Sequence, residues 1–141
     1  CIRDRYVGVE TLEYLRRGGR VTASAAAIST VLQIKPLLKI TGERLDAYAK
    51  AHGTGNCKKR LLEAMRHDVE KYAEMWDIDI GVASSHQNIE EAEKWKETAT
   101  NTFPQYHVSH SPLTFSISSH VGPNAYGMAV SRRLARSKGE L

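Results

Sequence analysis

Several features that mark specialised protein classes are scarce in this 141-residue sequence. It has two cysteines, Cys1 and Cys57, and no CxxC pair, so it shows neither a disulfide framework nor a cysteine zinc motif. Two free thiols are typical of a reducing cytoplasm. The apolar runs are far shorter than the roughly 20 residues that a membrane span requires, and no leader-like segment is visible. We therefore expect a cytoplasmic protein without stable membrane insertion.

The histidines and the charges also exclude several classes of site. No pair of histidines has HExxH or HxH spacing, so a metal site is not predicted. The net charge is +4, and residues 1–66 hold thirteen Lys/Arg against six Asp/Glu. A basic front of this kind attracts anions or acidic partners. Nucleic acid is not the expected partner, because no basic stripe with interleaved aromatics and no groove-reading motif is present.

Hydrophobic periodicity predicts a mixed α/β (α+β) fold, a two-layer sandwich in which a mostly antiparallel or mixed sheet packs on helices. Helical spacing runs over 56–75, and Asn88 followed by Glu91 resembles a capping box that opens another helix. Pro36 predicts an edge or bulged strand. Residues 1–130 form the predicted domain and 131–141 a basic tail. Predicted strands are 5–9, 34–40, 44–49, 78–82, 106–108, 113–117 and 125–130, and predicted short helices are 11–17 and 25–32.

His120 is the histidine that sequence position favours as functional. It follows the predicted strand 113–117 and precedes Gly122 and Pro123, which allow a close backbone approach and stiffen the loop. A histidine at such a strand end lies at the rim of a cleft. Two alternatives stay open. The ring could merely satisfy a turn, or it could act as the acid or base of an enzyme such as a hydrolase, although no GxSxG elbow is present.

Lys58, Lys59 and Arg60 form the candidate docking surface. They come after Gly53-Thr54-Gly55, which resembles a phosphate loop but lacks its Gly-Lys-Ser/Thr ending. Cations near a helix N-terminus are not favoured by the helix dipole, so an outside partner is the functional explanation and simple solvation the structural one. The alternative function is accordingly a protein-interaction module with a basic docking face and no ligand.

Three ordered motifs resemble the DegV family of bacterial fatty-acid-binding proteins. The first is Leu12 to Val21, similar to an LEYL segment followed by basic residues and GGR. The second is Ala25 to Leu38, and the third is His120 to Ala125, similar to the family's HVGPGA. Asn124 stands where the family has glycine, and asparagine also tolerates a positive φ. The resemblance covers the second domain of that family, and the first domain is absent from this chain.

The resemblance implies a carrier rather than an enzyme, with a long-chain fatty acid as ligand and no cofactor. It further implies that the carrier presents the fatty-acid carboxylate to a separate kinase, which makes an acyl phosphate. His120 and Arg20 correspond to head-group residues, and Gly122 and Pro123 shape the loop beside them. The small-residue helix corresponds to the wall of an interdomain tunnel. Its expected ligand-binding residues are Ile28, Val31 and Leu32. An open half-tunnel would expose apolar surface, so we expect dimerisation through residues 25–38.

Overall fold

The computed structural model describes residues 2–19, 21–23, 34–41 and 44–132, and it describes no side chain of residues 2–4, 41 and 44. Ten elements follow one another along these ranges. The strands are β1 (Ile2–Gly8), β2 (Ile34–Thr41), β3 (Arg44–His52), β4 (Ile78–Ser84), β5 (His107–Pro112) and β6 (Tyr126–Arg132). The helices are α1 (Glu13–Arg17), α2 (Gly53–Ala73), α3 (Ile89–Thr102) and α4 (Phe115–Val121).

The six strands form one mixed sheet in the order β3-β2-β1-β6-β4-β5. All neighbouring pairs are antiparallel except β4 and β5, which are parallel and are joined through α3. Strands β1, β3, β4 and β5 consequently run in one direction. The carboxyl ends of these four strands lie along one border of the sheet. We call that border the carboxyl edge. Each of the four helices follows one of these strands in the chain, so each helix begins near the carboxyl edge.

Two hydrophobic clusters cover the two faces of the sheet. On one face, α2 and α3 pack over residues that include Tyr6, Leu37 and Ile80. On the other face, Leu15 of α1 and Val121 of α4 pack with a smaller cluster around β1 and β2. The predicted α/β sandwich of a mixed sheet on helices is therefore confirmed, and two short helices add cover to part of the second face.

Several local predictions are confirmed by the element bounds. The long helix is α2, and its apolar positions lie in the larger cluster. Strand β4 alternates buried and half-buried residues, as its period-two pattern predicts. The Asn88 side chain caps α3 by accepting a hydrogen bond from the Glu90 backbone N–H at 2.9 Å. Thr11 accepts a hydrogen bond from the Glu13 N–H at 3.2 Å, at the start of α1.

The predicted strand 113–117 is wrong, because this segment enters the helix α4. The alternation of Leu113, Phe115 and Ile117 resembles a half-buried strand, yet Phe115 is 90% exposed and Ile117 is 48% exposed. Strand β5 already ends at Pro112. Beyond the sheet edge the backbone forms helical hydrogen bonds, including Ser118 N–H to Thr114 O at 2.9 Å.

The prediction for Pro36 is half right. Strand β2 is internal, between β1 and β3, so the edge position is wrong. The bulge is present: the register of β2 with β3 shifts between Leu37 and Leu38, which oppose Ala49 and Ala47. The extra residue at this shift is Tyr48 on β3.

Two predicted segments lie outside the described residues. The helix 25–32 is one, and residues 133–141 of the tail are the other, while β6 itself extends through Arg132. Of the segment expected to dimerise, Leu37 and Leu38 are fully buried in the two clusters and cannot contribute an exposed surface. The dimer therefore stays a prediction.

Candidate functional site

His120 lies in the last turn of α4 instead of at a strand end, which corrects its predicted position. Its ring is half-buried and lies against Gly18, where a Cβ would be only 3.1 Å from the His120 Nδ1 atom. A side chain at this position would press on the ring, which would have to shift by a few tenths of an ångström. No hydrogen bond joins the His120 ring to another of the described residues.

Gly122 forms a second contact between the same two motifs. Its φ of +81° and ψ of −177° define a backbone conformation that is essentially restricted to glycine. A Cβ there would lie 2.6 Å from Cδ2 of Tyr14, so the Tyr14 ring packs directly on the Gly122 backbone. The structure thus joins the motif of α1 to the motif of α4 by two reciprocal contacts, His120 on Gly18 and Tyr14 on Gly122.

The loop that joins α4 to β6 is fixed by Ser85, which follows β4 at the carboxyl edge. The Ser85 Oγ donates a hydrogen bond to Gly122 O at 2.7 Å and accepts one from Ala125 N–H at 2.9 Å. Asn124 adopts a φ of +57°, as expected for the residue that replaces the family's glycine, and Pro123 is exposed. Sequence reasoning missed Ser85, because a lone serine carries no local signal for bonds to residues 37–40 positions away.

Two exposed hydrophobic side chains lie near His120. Ile117 lies three residues before His120 on α4, which places the two side chains on neighbouring parts of one helix face. Ile117 is 48% exposed and Tyr14 is 39% exposed. The site therefore offers a polar ring next to exposed apolar side chains, an arrangement that suits a ligand with a polar head and an apolar tail.

Lys58, Lys59 and Arg60 lie in the second turn of α2, since that helix begins at Gly53. Lys58 is half-buried, and its Nζ lies 5.6 Å from the ring centroid of Trp95 and 5.2 Å from that of Tyr126. Through these cation–π contacts Lys58 of α2 joins Trp95 of α3 and Tyr126 of β6, which gives it a structural role. Lys59 and Arg60 are exposed.

Glu10, in the loop after β1, contacts both β2 and α2. Its carboxylate accepts hydrogen bonds from Lys35 Nζ at 2.5 Å and from Thr54 Oγ1 at 3.1 Å. Burial acts to raise the pKa of Glu10, but the hydrogen bond and the charge of Lys35 outweigh it and hold that pKa below its ordinary value. Burial also raises the pKa of the Cys57 thiol, so this free thiol is protonated and unreactive at neutral pH.

Four of the predicted site residues lie outside the described residues: Arg20, Ile28, Val31 and Leu32. Among the residues that the structure describes, no group of three or more His, Cys, Asp or Glu side chains could hold a metal ion. The same part of the chain has no helix that is both long and apolar enough to cross a membrane.

Comparison with known proteins places these motifs in a family. The family model described as "Uncharacterised protein, DegV family" matches residues 3–133, nearly the whole chain. The chain belongs to the DegV family. A DegV domain-containing protein of Deinococcus radiodurans is 32% identical over 122 residues, which are 86% of this chain and 42% of the relative. One of Streptomyces coelicolor is 31% identical, covering 91% of this chain and 44% of the relative. The chain thus spans less than half the length of these DegV relatives.

Solved DegV structures share the fold. A fatty-acid-binding DegV family protein of Thermus thermophilus has a TM-score of 0.75 at 26% identity, over 94% of this chain and 46% of that one. DegV of Bacillus subtilis, described as a fatty acid binding protein, has a TM-score of 0.73 at 25% identity, over 92% and 45% of the two chains. A stearic acid-binding protein of Eubacterium ventriosum has a TM-score of 0.80 at 20% identity, over 92% and 44%, and supports the fold alone.

Proposed function

We infer that this chain is the part of a fatty-acid carrier that binds a long acyl chain and helps to orient its carboxylate. The observation that carries the proposal is the meeting of the half-buried His120 with exposed apolar side chains where α1 contacts α4. A fatty acid has the matching two-part chemistry. Family membership supports the proposal, because solved DegV proteins are described as fatty-acid-binding.

The acyl chain and the carboxylate of such a ligand contribute differently to the free energy of binding. Burying ten methylene groups contributes about 8 kcal/mol at roughly 0.8 kcal/mol each. A hydrogen bond to a charged carboxylate contributes about 1.5–3 kcal/mol. The apolar surface therefore supplies most of the affinity, and His120 supplies orientation of the head group.

The other site residues take roles that stay predictions. Gly122 and Pro123 shape the loop beside the His120 ring, and Arg20 is proposed to face the carboxylate. Ile28, Val31 and Leu32 are proposed to line the acyl tunnel. Neither a metal nor an organic cofactor has a part in this role, because binding and presentation require no chemistry from the carrier itself.

The finer proposal is that the carrier presents the carboxylate to a separate kinase. The kinase transfers the terminal phosphoryl group of ATP to a carboxylate oxygen, which yields an acyl phosphate and ADP. Lys59 and Arg60 are the exposed residues of the predicted docking surface, while Lys58 supports it through its aromatic contacts. A reaction that uses ATP is consistent with a cytoplasmic protein.

The first experiment measures lipid directly in the full-length protein. Native mass spectrometry after mild purification is expected to show a bound long-chain fatty acid. After delipidation, His120→Ala is expected to bind stearic acid about tenfold more weakly than the wild type, since one head-group hydrogen bond is lost. His107→Ala is the matched control. His107 is an exposed histidine at the start of β5, and it therefore lies at the opposite end of the strands from the carboxyl edge.

Two outcomes would contradict the proposal. A full-length protein that carries no lipid and fails to bind stearic acid would favour the interaction module without ligand. Equal binding by His120→Ala and the wild type would remove His120 from the site. For the kinase step, acyl phosphate formation is expected to fall more than binding in His120→Ala, because phosphoryl transfer depends on positioning to within about 1 Å.

A further inference from the structure

The loop after His120 contains two residues at positive φ. Gly122 has a φ of +81° and Asn124 a φ of +57°, with Pro123 between them. Glycine and asparagine adopt positive φ readily, so these residues permit the shape of the loop without fixing it. Contacts from outside the loop fix it.

Ser85 provides four hydrogen bonds to this loop. Its Oγ bridges the two ends, donating to Gly122 O at 2.7 Å and accepting from Ala125 N–H at 2.9 Å. Its backbone N–H donates to Ala125 O at 2.8 Å, and its carbonyl accepts from Asn124 N–H at 3.3 Å. The backbone bonds would survive a change of side chain, whereas the bridge depends on the hydroxyl.

The same loop determines where α4 ends and hence where its last turn points. Gly122 N–H donates to Ser118 O at 2.8 Å, which closes the turn that carries His120. The Tyr14 ring packs on Gly122, and the His120 ring packs on Gly18. A displacement of Gly122 would therefore shift both contacts between α1 and α4.

We propose that Ser85 is a positioning residue for the ligand head group, and that its hydroxyl holds Gly122 and thereby keeps the His120 ring over Gly18. The inference rests on the proposed function, because it assigns Ser85 to the same carboxylate site. Ser85 itself does not contact the ligand. It acts through the loop, so its effect on binding depends on the presence of the His120 ring.

The test compares Ser85→Ala, His120→Ala and the double variant in the delipidated full-length protein, with stearic acid as the probe. Ser85→Ala is expected to weaken binding about tenfold, and the double variant is expected to bind no more weakly than His120→Ala alone. Ser85→Thr keeps the hydroxyl and is expected to restore binding to within about twofold. Ser131→Ala removes a serine hydroxyl bond elsewhere, to Asp79 O on the neighbouring strand, and is the matched control.

A second measurement follows the His120 ring itself. The NMR signals of its carbon-bound protons are expected to shift in Ser85→Ala and to keep their wild-type positions in Ser131→Ala. A purely structural role for Ser85 would change the unfolding midpoint without moving these signals. Should Ser85→Ala fail to fold, Ser85→Cys keeps the size of the side chain with a weak donor, and the same two measurements decide.

The outcomes separate the inference from the function on which it rests. Wild-type binding by Ser85→Ala, together with weak binding by His120→Ala, overturns the role of Ser85 and leaves the proposed function intact. Additive losses in the double variant also overturn it, because Ser85 would then act independently of His120. Wild-type binding by His120→Ala overturns the head-group site, and absence of stearic acid binding by the wild type overturns the proposed function.

Discussion

The effect of adding a side chain to a glycine of this fold depends on the atoms that surround it. Gly122 and Gly53 have nearly the same φ, +81° and +77°, yet their surroundings differ. A Cβ on Gly122 would meet the Tyr14 ring at 2.6 Å, whereas a Cβ on Gly53 would meet nothing within 4 Å. A side chain at Gly122 therefore meets two obstacles, the backbone conformation and the Tyr14 ring, whereas one at Gly53 meets no neighbouring atom.

We expect Gly122→Ala to lower the free energy of unfolding more than Gly53→Ala does. Both variants place a side chain at positive φ, and at Gly122 the ψ of −177° makes that backbone essentially accessible to glycine alone. Only Gly122→Ala adds the overpacking against Tyr14, about 1–3 kcal/mol. Urea denaturation of the two variants measures the difference. Equal losses would contradict the prediction, since neither the Tyr14 ring nor the Gly122 backbone conformation would then add a cost.

Glu10 predicts a pH-dependent contribution to stability. Its pKa in the folded protein is lowered by Lys35 against the opposing effect of burial, so folding favours the ionised carboxylate. The contribution is present above the unfolded-state pKa and is lost as the pH falls through the lower, folded-state pKa. We therefore expect Glu10→Gln to cost about 0.5–1 kcal/mol near neutral pH and less in acid.

Urea denaturation at about pH 7 and about pH 3 checks this prediction. Glu13→Gln is the control, because Glu13 pairs with Arg17 on an exposed helix surface where an ion pair contributes little. A loss of stability in Glu10→Gln that is equal at both pH values would contradict the prediction, since it would then come from packing and not from the carboxylate charge.

Secondary-structure elements with a strong local pattern could be predicted from the sequence. Helix α2 and strand β4 have one buried face each, so their periods of 3.6 and 2 are visible directly. Helix α4 could not be predicted, because the residues that alternate there, Phe115 and Ile117, are exposed and not core. Pattern reasoning assumes that apolar residues are buried, and it fails where a fold leaves them at the surface.

The candidate site, too, could be predicted from the sequence only in part. His120 and Gly122 are predicted as site residues from the sequence, because histidine followed by glycine and proline is a local signal. Their contacts with Gly18 and Tyr14 depend on how α4 packs on α1, about a hundred positions earlier in the chain. Ser85 was missed for the same reason. Motif residues can be named from sequence, while the residues that hold them require the tertiary structure.

The basic turn of α2 leads to a prediction at the level of one helix. Lys58 lies over the rings of Trp95 and Tyr126, so Lys58→Gln is expected to lower the free energy of unfolding by about 0.5–1 kcal/mol. Lys59→Gln is expected to change it by less than about 0.5 kcal/mol, because Lys59 is exposed. Thermal denaturation of the two variants gives the comparison, and a larger loss from Lys59→Gln would contradict it.

The whole molecule depends on a sheet that supports a core on each face. Leu37 and Leu38 are consecutive residues of β2, and both are fully buried. Leu37 belongs to the larger cluster beneath α2 and α3, and Leu38 belongs to the smaller cluster with α1 and α4. Because successive side chains of a strand point to opposite faces, one strand carries both cores.

We therefore expect the two cores to unfold together. Leu37→Ala and Leu38→Ala each remove a fully buried side chain and are each expected to cost about 2–5 kcal/mol. In both variants circular dichroism of the helices and fluorescence of the tryptophans, Trp76 and Trp95, should follow one common urea transition, since Trp95 lies in the larger cluster and Trp76 packs against it. If the smaller cluster were an independent unit, Leu38→Ala would leave the fluorescence transition at its wild-type midpoint. A shared transition in both variants means that a destabilising change on the face carrying His120 destabilises the whole sheet. Binding measurements on site variants must therefore be paired with unfolding measurements, which distinguish the loss of a ligand contact from the loss of the fold.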